Sequence, residues 1–304
     1  MSSRLVTEIV GLKLSSPTML AAGILGLSGS FLKEIANSGV GAVVTKSIGL
    51  KSRPGYSNPS VVQVDCGLLN AMGLPNPGIH QFVREIVEAK ILGVPLIVSI
   101  YGFSSEEFAE VANYAVKAGA DALELNVSCP HVEKTGSEIG QDPQLVKEVV
   151  KAVKKRVRNP VFVKLTPNVD DITEVAKAAV EGGADAITAI NTIRAMAINV
   201  ETAHPILANK IGGLSGPAIK PIAVRCVYEI YREVDVPVVG CGGIATWRDA
   251  VEFMLAGASA VQVGTAIAFK GLKVFKSINR GINHYLKKKG FRSVKDIVGL
   301  SHRR

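Results

Sequence analysis

One phrase recurs along this chain: an amphipathic helical stretch, then small residues with glycine, then a short apolar run ending in polar residues. It reads Asn37-Ser38-Gly39-Val40-Gly41-Ala42-Val43-Val44-Thr45-Lys46 and returns as Ala118-Gly119-Ala120-Asp121-Ala122-Leu123-Glu124-Leu125-Asn126. Two more copies are Gly182-Gly183-Ala184-Asp185-Ala186-Ile187-Thr188-Ala189-Ile190-Asn191 and Ala256-Gly257-Ala258-Ser259-Ala260-Val261-Gln262-Val263-Gly264. Glycine after a helix accepts the left-handed conformation that ends it. The apolar runs are rich in Val, Ile and Ala, as strands buried on both faces are. Four further strand candidates lie between these copies: residues 18–22, Leu96–Ile100, Val161–Leu165 and residues 238–240. Pro95, Pro160 and Pro237 stand at the entrances of the last three, where a missing donor costs little.

The spacing places helices over residues 31–38, 78–92, Ser105–Ala118, 143–157, Ile172–Glu181, 218–234 and Trp247–Ala256, with a C-terminal stretch from about residue 272. Eight strands alternating with helices predict a closed α/β (β/α)8 barrel, the TIM-barrel architecture. An open doubly wound sheet is the alternative, weakened because no G-x-G-x-x-G follows the first strand. Two segments exceed the minimal barrel. Residues 47–77 hold four prolines and the alternating Val61-Val62-Gln63-Val64, which predicts a hairpin-bearing insertion after strand two. Residues 192–217 form a second insertion, after strand six, and loops this long are usually functional. No linker interrupts the 304 residues, so a single domain is expected.

Apolar residues make up 47% and charged residues 20%, a globular composition. Residues 1–12 lack the continuous apolar core of a signal peptide. The longest uncharged run, 14–32, is broken by Pro17, Gly23, Gly26 and Gly29, so it reads as strand and loop and not as a membrane span. A cytoplasmic protein is expected. The four cysteines form no C-x-x-C pair, which argues against a zinc site, a redox dithiol or any metal centre. The formal charge is +9, partly at Lys287-Lys288-Lys289 and Arg303-Arg304. No nucleic-acid motif accompanies it, so a solvated helix end is expected there.

Barrel active sites form at the C-terminal ends of the strands. Strand two ends in Lys46, strand three in Ser99, strand four in Asn126, strand five in Lys164 and strand six in Asn191. Two lysines and two asparagines in one mouth are costly without a polar ligand. Strand seven runs into Gly240-Cys241-Gly242-Gly243 and strand eight into Gly264-Thr265. Glycines there let backbone N–H groups approach a phosphate, and this is the usual phosphate position of the fold. Cys129 follows strand four among polar neighbours Asn126, Ser128 and His131. A lone cysteine is ordinarily a small buried hydrophobe, which suits Cys226 on its helix and suits Cys129 poorly. A thiol is partly ionised at neutral pH, and two nearby lysines favour the anion.

These strings resemble the catalytic subunit of the class 1B dihydroorotate dehydrogenases, essentially from end to end. The matching motifs are Asn70-Ala71-Met72-Gly73-Leu74-Pro75-Asn76-Pro77-Gly78, Asn126-Val127-Ser128-Cys129-Pro130, Val163-Lys164-Leu165-Thr166-Pro167-Asn168 and Gly212-Gly213-Leu214-Ser215-Gly216-Pro217-Ala218-Ile219-Lys220-Pro221, with Gly242-Gly243-Ile244 and Gly264-Thr265. The resemblance implies one FMN across the barrel mouth, its phosphate on Gly216, Gly242, Gly243, Gly264 and Thr265. It implies Ala22, Ser47, Ser99, Asn126 and Ile190 along the cofactor. Lys164 is implied at the flavin ring, and Lys46 between cofactor and substrate. For dihydroorotate it implies Asn70, Asn126, Asn191 and Thr192, with Ala71, Met72, Gly73 and Leu74. Cys129 is implied as the base that takes the C5 proton, with hydride passing from C6 to FMN and orotate as product.

The early start of the barrel and the use of Cys separate this chain from the membrane-bound class, whose base is Ser. The segment Ala195-Met196-Ala197-Ile198-Asn199-Val200-Glu201-Thr202 looks like class 1B. That class implies a partner subunit carrying FAD and a 2Fe-2S cluster, electrons passed to NAD, and a homodimer core or heterotetramer. A class 1A-like use of fumarate or another acceptor is the nearer alternative. His131 stands where relatives commonly have Asn, and Ala22 where many have Ser. Two rivals lie outside the family: a lysine Schiff-base aldolase using Lys164 or Lys46, and a non-catalytic nucleic-acid-binding barrel.

Overall fold

The structure, a computed structural model, describes residues 3–90, 93–128 and 139–303. Eight parallel strands form its centre: β1 (Thr18–Leu20), β2 (Val43–Val44), β3 (Leu96–Ile100), β4 (Ala122–Asn126), β5 (Val161–Leu165), β6 (Ala186–Ala189), β7 (Val238–Cys241) and β8 (Ala258–Val263). Their order around the sheet is β1-β8-β7-β6-β5-β4-β3-β2. A parallel bridge between Met19 and Ala42 joins the two ends. Gly41 N donates to Thr18 O at 2.7 Å and Leu20 N to Ala42 O at 3.2 Å across that seam. The sheet is thus a closed barrel without free edges.

The helices are α1 (Gly29–Ala36), α2 (Ile79–Ala89), α3 (Ser105–Ala118), α4 (Pro143–Arg156), α5 (Ile172–Glu181), α6 (Lys220–Glu233), α7 (Trp247–Ala256), α8 (Ala266–Lys270) and α9 (Lys273–Lys289). α3, α5 and α7 begin and end where the periodicity places them. α8 is an additional turn that the apolar pattern merges with the strand-eight loop. Ser28, Ser104, Asp142, Asp171 and Thr246 cap their helices by accepting backbone N–H groups. The expected glycines at helix ends, Gly39, Gly119, Gly183 and Gly257, all have positive φ. Among the described residues no helix is long and apolar enough to cross a membrane.

The repeated phrase has a second purpose that its apolar pattern conceals. Asp121, just before β4, accepts from Leu96 N at 2.8 Å, and Asp185, before β6, accepts from Val161 N at 2.8 Å. Each aspartate satisfies the first N–H of the neighbouring strand. The prolines at the strand entrances act from the acceptor side: Pro95, Pro160 and Pro237 take the N–H groups of Val43, Leu123 and Ile187 at 2.9 to 3.0 Å.

The barrel interior is layered. At the bottom, Met19, Val44, Ile97, Ala122, Phe162, Ala186, Val239 and Ala260 form one apolar cluster. The N-terminal segment, which the alternating sequence leaves without an assigned element, forms a hairpin of Thr7–Ile9 and Leu12–Leu14. Ile9 and Leu14 from that hairpin join the cluster and close the floor. The barrel is therefore filled and open only at the top.

The two insertions meet over that opening. The expected hairpin is present as Val61–Val64 and Gly67–Asn70. The second insertion contributes Ile193–Met196 and Ile211–Ser215, and the four strands make one antiparallel sheet. Asn70 pairs with Gly213, 143 residues away, and Leu68 pairs with Ser215. Gly67 is required where the strands approach: a Cβ there would lie 1.9 Å from Ser215 O.

Candidate active site

A cavity of about 840 Å³ lies between the top of the barrel and the insertion sheet. That volume is within the range of cofactor and ligand sites. Its walls come from the ends of β2, β4, β5, β7 and β8 and from both insertions, so neither part encloses it alone.

Strand alternation explains the floor. On β4, Glu124 and Asn126 are two residues apart and share a face. Register sets Asn126 beside Lys164, and Lys164 beside Thr188. Lys164 is buried, and its Nζ donates to Gln262 Oε1 at 2.9 Å and stands 3.8 Å from Glu124 Oε1. Gln262 Nε2 and Thr188 Oγ1 both donate to Glu124 Oε2, the latter at 3.0 Å. Burial works against the Lys164 charge, while Cys241 and Glu124 work for it, and the balance holds the amine above the ordinary lysine value. Burial also pushes the Cys241 thiol up, against the pull of the neighbouring Lys164.

A second chain of hydrogen bonds runs nearer the rim. Asn191 Nδ2 donates to Asn126 Oδ1 at 3.2 Å, and Asn126 Nδ2 to Ser47 Oγ at 3.1 Å. Ser47 and Ser99 share a bond of 2.9 Å, and Asn191 Oδ1 accepts from Thr192 N at 2.8 Å. Asn70 Nδ2 donates to Gly213 O at 3.1 Å, tying it to the roof. Lys46 lies in the same mouth, buried, and its amine is pushed down by that burial.

On the other wall, Gly216, Gly242, Gly243, Gly264 and Thr265 come together. Gly243 has φ +75°, and a Cβ there would meet Lys220 Cβ at 2.7 Å and the Gly216 carbonyl oxygen at 2.8 Å. The wall is therefore bare backbone at a point where no side chain fits, which suits a phosphate. Thr265 Oγ1 donates to Ser215 Oγ at 2.8 Å, joining this wall to the roof.

Of the residues singled out from sequence, Ala22, Lys46, Ser47, Asn70, Met72, Leu74, Asn126, Lys164, Ile190, Asn191, Thr192, Gly216, Gly242, Gly243, Gly264 and Thr265 line this one cavity. Three sit behind it. Ser99 is fully buried and reaches the site only through Ser47. Ala71 packs with Leu69 and Leu207 inside the insertion sheet. Gly73 lies against Tyr56, 2.7 Å from where its Cβ would be. Cys129 and His131 lie outside the described residues. Cys226 is buried on α6 and its thiol is pushed up to about 11, chiefly by burial, as befits a structural cysteine.

Sequence reasoning passed over Glu124, Thr188 and Gln262. Each is a polar residue inside an otherwise apolar strand, in phase with a strand-end residue two positions on or across the ladder. That phase is the signal that could have found them. It also passed over Asn168, which bridges β5 to the second insertion: its Nδ2 donates to Thr166 Oγ1 at 2.9 Å and Thr192 O at 3.1 Å. The surroundings of Lys164 oppose the Schiff-base reading, because that chemistry needs a neutral amine.

Residues 4–286 match the family model described as dihydroorotate dehydrogenase. The chain is 53% identical to the dihydroorotate dehydrogenase B (NAD(+)), catalytic subunit, of Methanocella arvoryzae over 293 residues, covering 96% of each chain. It is 52% identical to the protein of the same name from Pyrococcus horikoshii over 297 residues, covering 98% of this chain and 97% of that one. With Methanosarcina acetivorans the identity is 53% over 297 residues, 97% and 95% of the two chains. The chain belongs to the dihydroorotate dehydrogenase family.

Proposed function

We propose that this chain is the catalytic subunit of an NAD-linked dihydroorotate dehydrogenase, oxidising dihydroorotate to orotate for pyrimidine synthesis with FMN as its resident cofactor. The observation that carries the reading is the single cavity that unites two lysines, a row of asparagines and a bare glycine wall. These residues fit FMN. The backbone of Gly216, Gly242, Gly243 and Gly264 with Thr265 would hold the phosphate, and Ala22, Ser47 and Ile190 would flank the ring system. Bound FMN supplies acceptance of the hydride from C6 of the substrate.

The chain's own residues do the rest. Asn70, Asn126 and Asn191 offer amides that donate and accept at once, suited to a flat ring with both kinds of group. Lys46, itself buried, gives the substrate carboxylate a cation where charge pairing is stronger than in water. Lys164 presents its charge where the cofactor ring gains electrons. Cys129 takes the C5 proton. The roof sheet covers the substrate and carries Asn70 and Thr192 to it. Electrons then pass to a separate subunit with FAD and a 2Fe-2S cluster, and from there to NAD. The names of the relatives, catalytic subunit and NAD(+), support this choice over fumarate. We place the assembly in the cytoplasm, as a homodimer core within a heterotetramer.

The test is optical. Purified chain with FMN is yellow, and dihydroorotate bleaches it without oxygen. Cys129→Ser slows the bleaching strongly at neutral pH. A colourless preparation in the presence of FMN, or a yellow one that dihydroorotate leaves unchanged, refutes the reading.

A further inference from the structure

Beneath the cavity lies a polar group that binding alone does not explain. Glu124 is fully buried at the midpoint of β4, above the apolar bottom layer of the barrel and below Asn126. A carboxylate in such a place is costly unless it is paired and hydrogen-bonded. Its Oε2 is satisfied by Gln262 Nε2 and Thr188 Oγ1. Its Oε1 has no hydrogen bond among the described residues and faces Lys164 Nζ at 3.8 Å.

We propose that Glu124 is a positioning residue that, acting through Gln262, keeps the Lys164 amine charged and aimed into the cavity. The inference rests on the functional reading of Lys164 given above and deepens it.

The relay follows from donor and acceptor types. An ionised carboxylate only accepts, so Glu124 draws the NH₂ end of the Gln262 amide toward itself. The carbonyl end of that amide is then turned to Lys164, where it accepts at 2.9 Å. An ammonium has three donors. Gln262 takes one at 2.9 Å. The others are left for Glu124, 3.8 Å away, and for the cavity, which Lys164 lines. Thr188 adds a second donor to the same carboxylate oxygen and fixes its orientation. Among the described residues, the titratable groups that face the amine are Glu124 on β4 and Cys241 on β7. Both favour the charged amine, and Glu124 is the one that also holds the Gln262 amide against it. Lys46 in the same mouth shows the contrast: among the described residues it has no such carboxylate, and burial pushes it down.

The experiment reads Lys164 directly. Full-length chain with ¹³Cε-labelled lysine is titrated by NMR without added cofactor, and Lys164→Met assigns the signal. In the parent chain Lys164 stays charged through pH 9. In Glu124→Gln it releases its proton at least tenfold more easily, a downward shift of about one pH unit or more. An unchanged Lys164 titration in Glu124→Gln overturns the proposal. If Glu124→Gln fails to accumulate as folded protein, the double variant Glu124→Gln with Lys164→Met is compared with it by urea denaturation. Removing the orphaned charge restores stability if the two groups are coupled; a double variant no more stable than Glu124→Gln refutes the coupling. Failure of the parent chain to bind FMN would remove the functional reading while leaving the lysine titration interpretable by itself.

Discussion

Replacing Gly243 by alanine tests the glycine wall and the phosphate reading together. The φ of +75° is the left-handed region, which costs a residue with a Cβ about 1–2 kcal/mol. The new Cβ would also stand 2.7 Å from Lys220 Cβ and 2.8 Å from Gly216 O. Neither is the free end of a flexible side chain. Lys220 is anchored at its far end by Asp249 at 2.9 Å and Glu252 at 2.7 Å. The backbone must therefore shift, and overpacking of this kind costs about 1–3 kcal/mol more. The expected loss is about 2–5 kcal/mol in urea denaturation of the ligand-free chain. FMN affinity, read by quenching of its fluorescence, should fall at least tenfold, because the shift moves backbone that faces the phosphate. Gly264→Ala is the control. Gly264 lines the same cavity, but its Cβ would meet only Ala21 Cβ at 3.3 Å, and its φ is outside the strained region. It should lose much less stability. A Gly243→Ala chain as stable as the parent, or one that loses no more than Gly264→Ala, would show that the steric reasoning is wrong.

Two further substitutions probe the polar side of the site. Lys46 is pushed below the ordinary lysine value by burial, so between the lowered and the ordinary value the unfolded chain holds more protons and stability rises with pH. Below that window the full penalty is present, so Lys46→Met should raise the urea midpoint of the ligand-free chain at pH 7 and lose that advantage as pH climbs through the window. The same variant should bind orotate at least tenfold more weakly by fluorescence titration; a destabilised Lys46→Met at pH 7 contradicts the burial argument. Asn168→Ala removes the tie between Thr166 and the Thr192 carbonyl and frees Arg194 N, which Asn168 Oδ1 accepts at 2.9 Å. Stability should fall by about 1–3 kcal/mol, and steady-state kinetics should show KM for dihydroorotate rising more than kcat falls, with an unchanged KM counting against a positioning role.

The barrel is legible in the sequence because its signals are local. Buried parallel strands are short apolar runs, and a helix must end before each one, so glycine and proline punctuate the chain at regular intervals. The strand-end rule then placed Lys46, Asn126, Lys164 and Asn191 in one mouth, and they line one cavity. Local signals also misled: the N-terminal alternation did not reveal the hairpin that closes the floor, because what it buries comes from six or more other elements.

Sequence by itself therefore determined the eight-fold alternation, the end of the barrel that carries chemistry, and most of the residues that face it. Tertiary structure alone decided how the two insertions pair across 143 residues into one roof, and which strand-end residues reach the cavity and which, like Ser99, stand behind it. It alone joined Glu124 to Gln262 across 138 residues. The physical reason is the same in each case. A strand's periodicity says which face a residue occupies, but the hydrogen-bond partner on that face is supplied by closure of the barrel, and no local pattern encodes it.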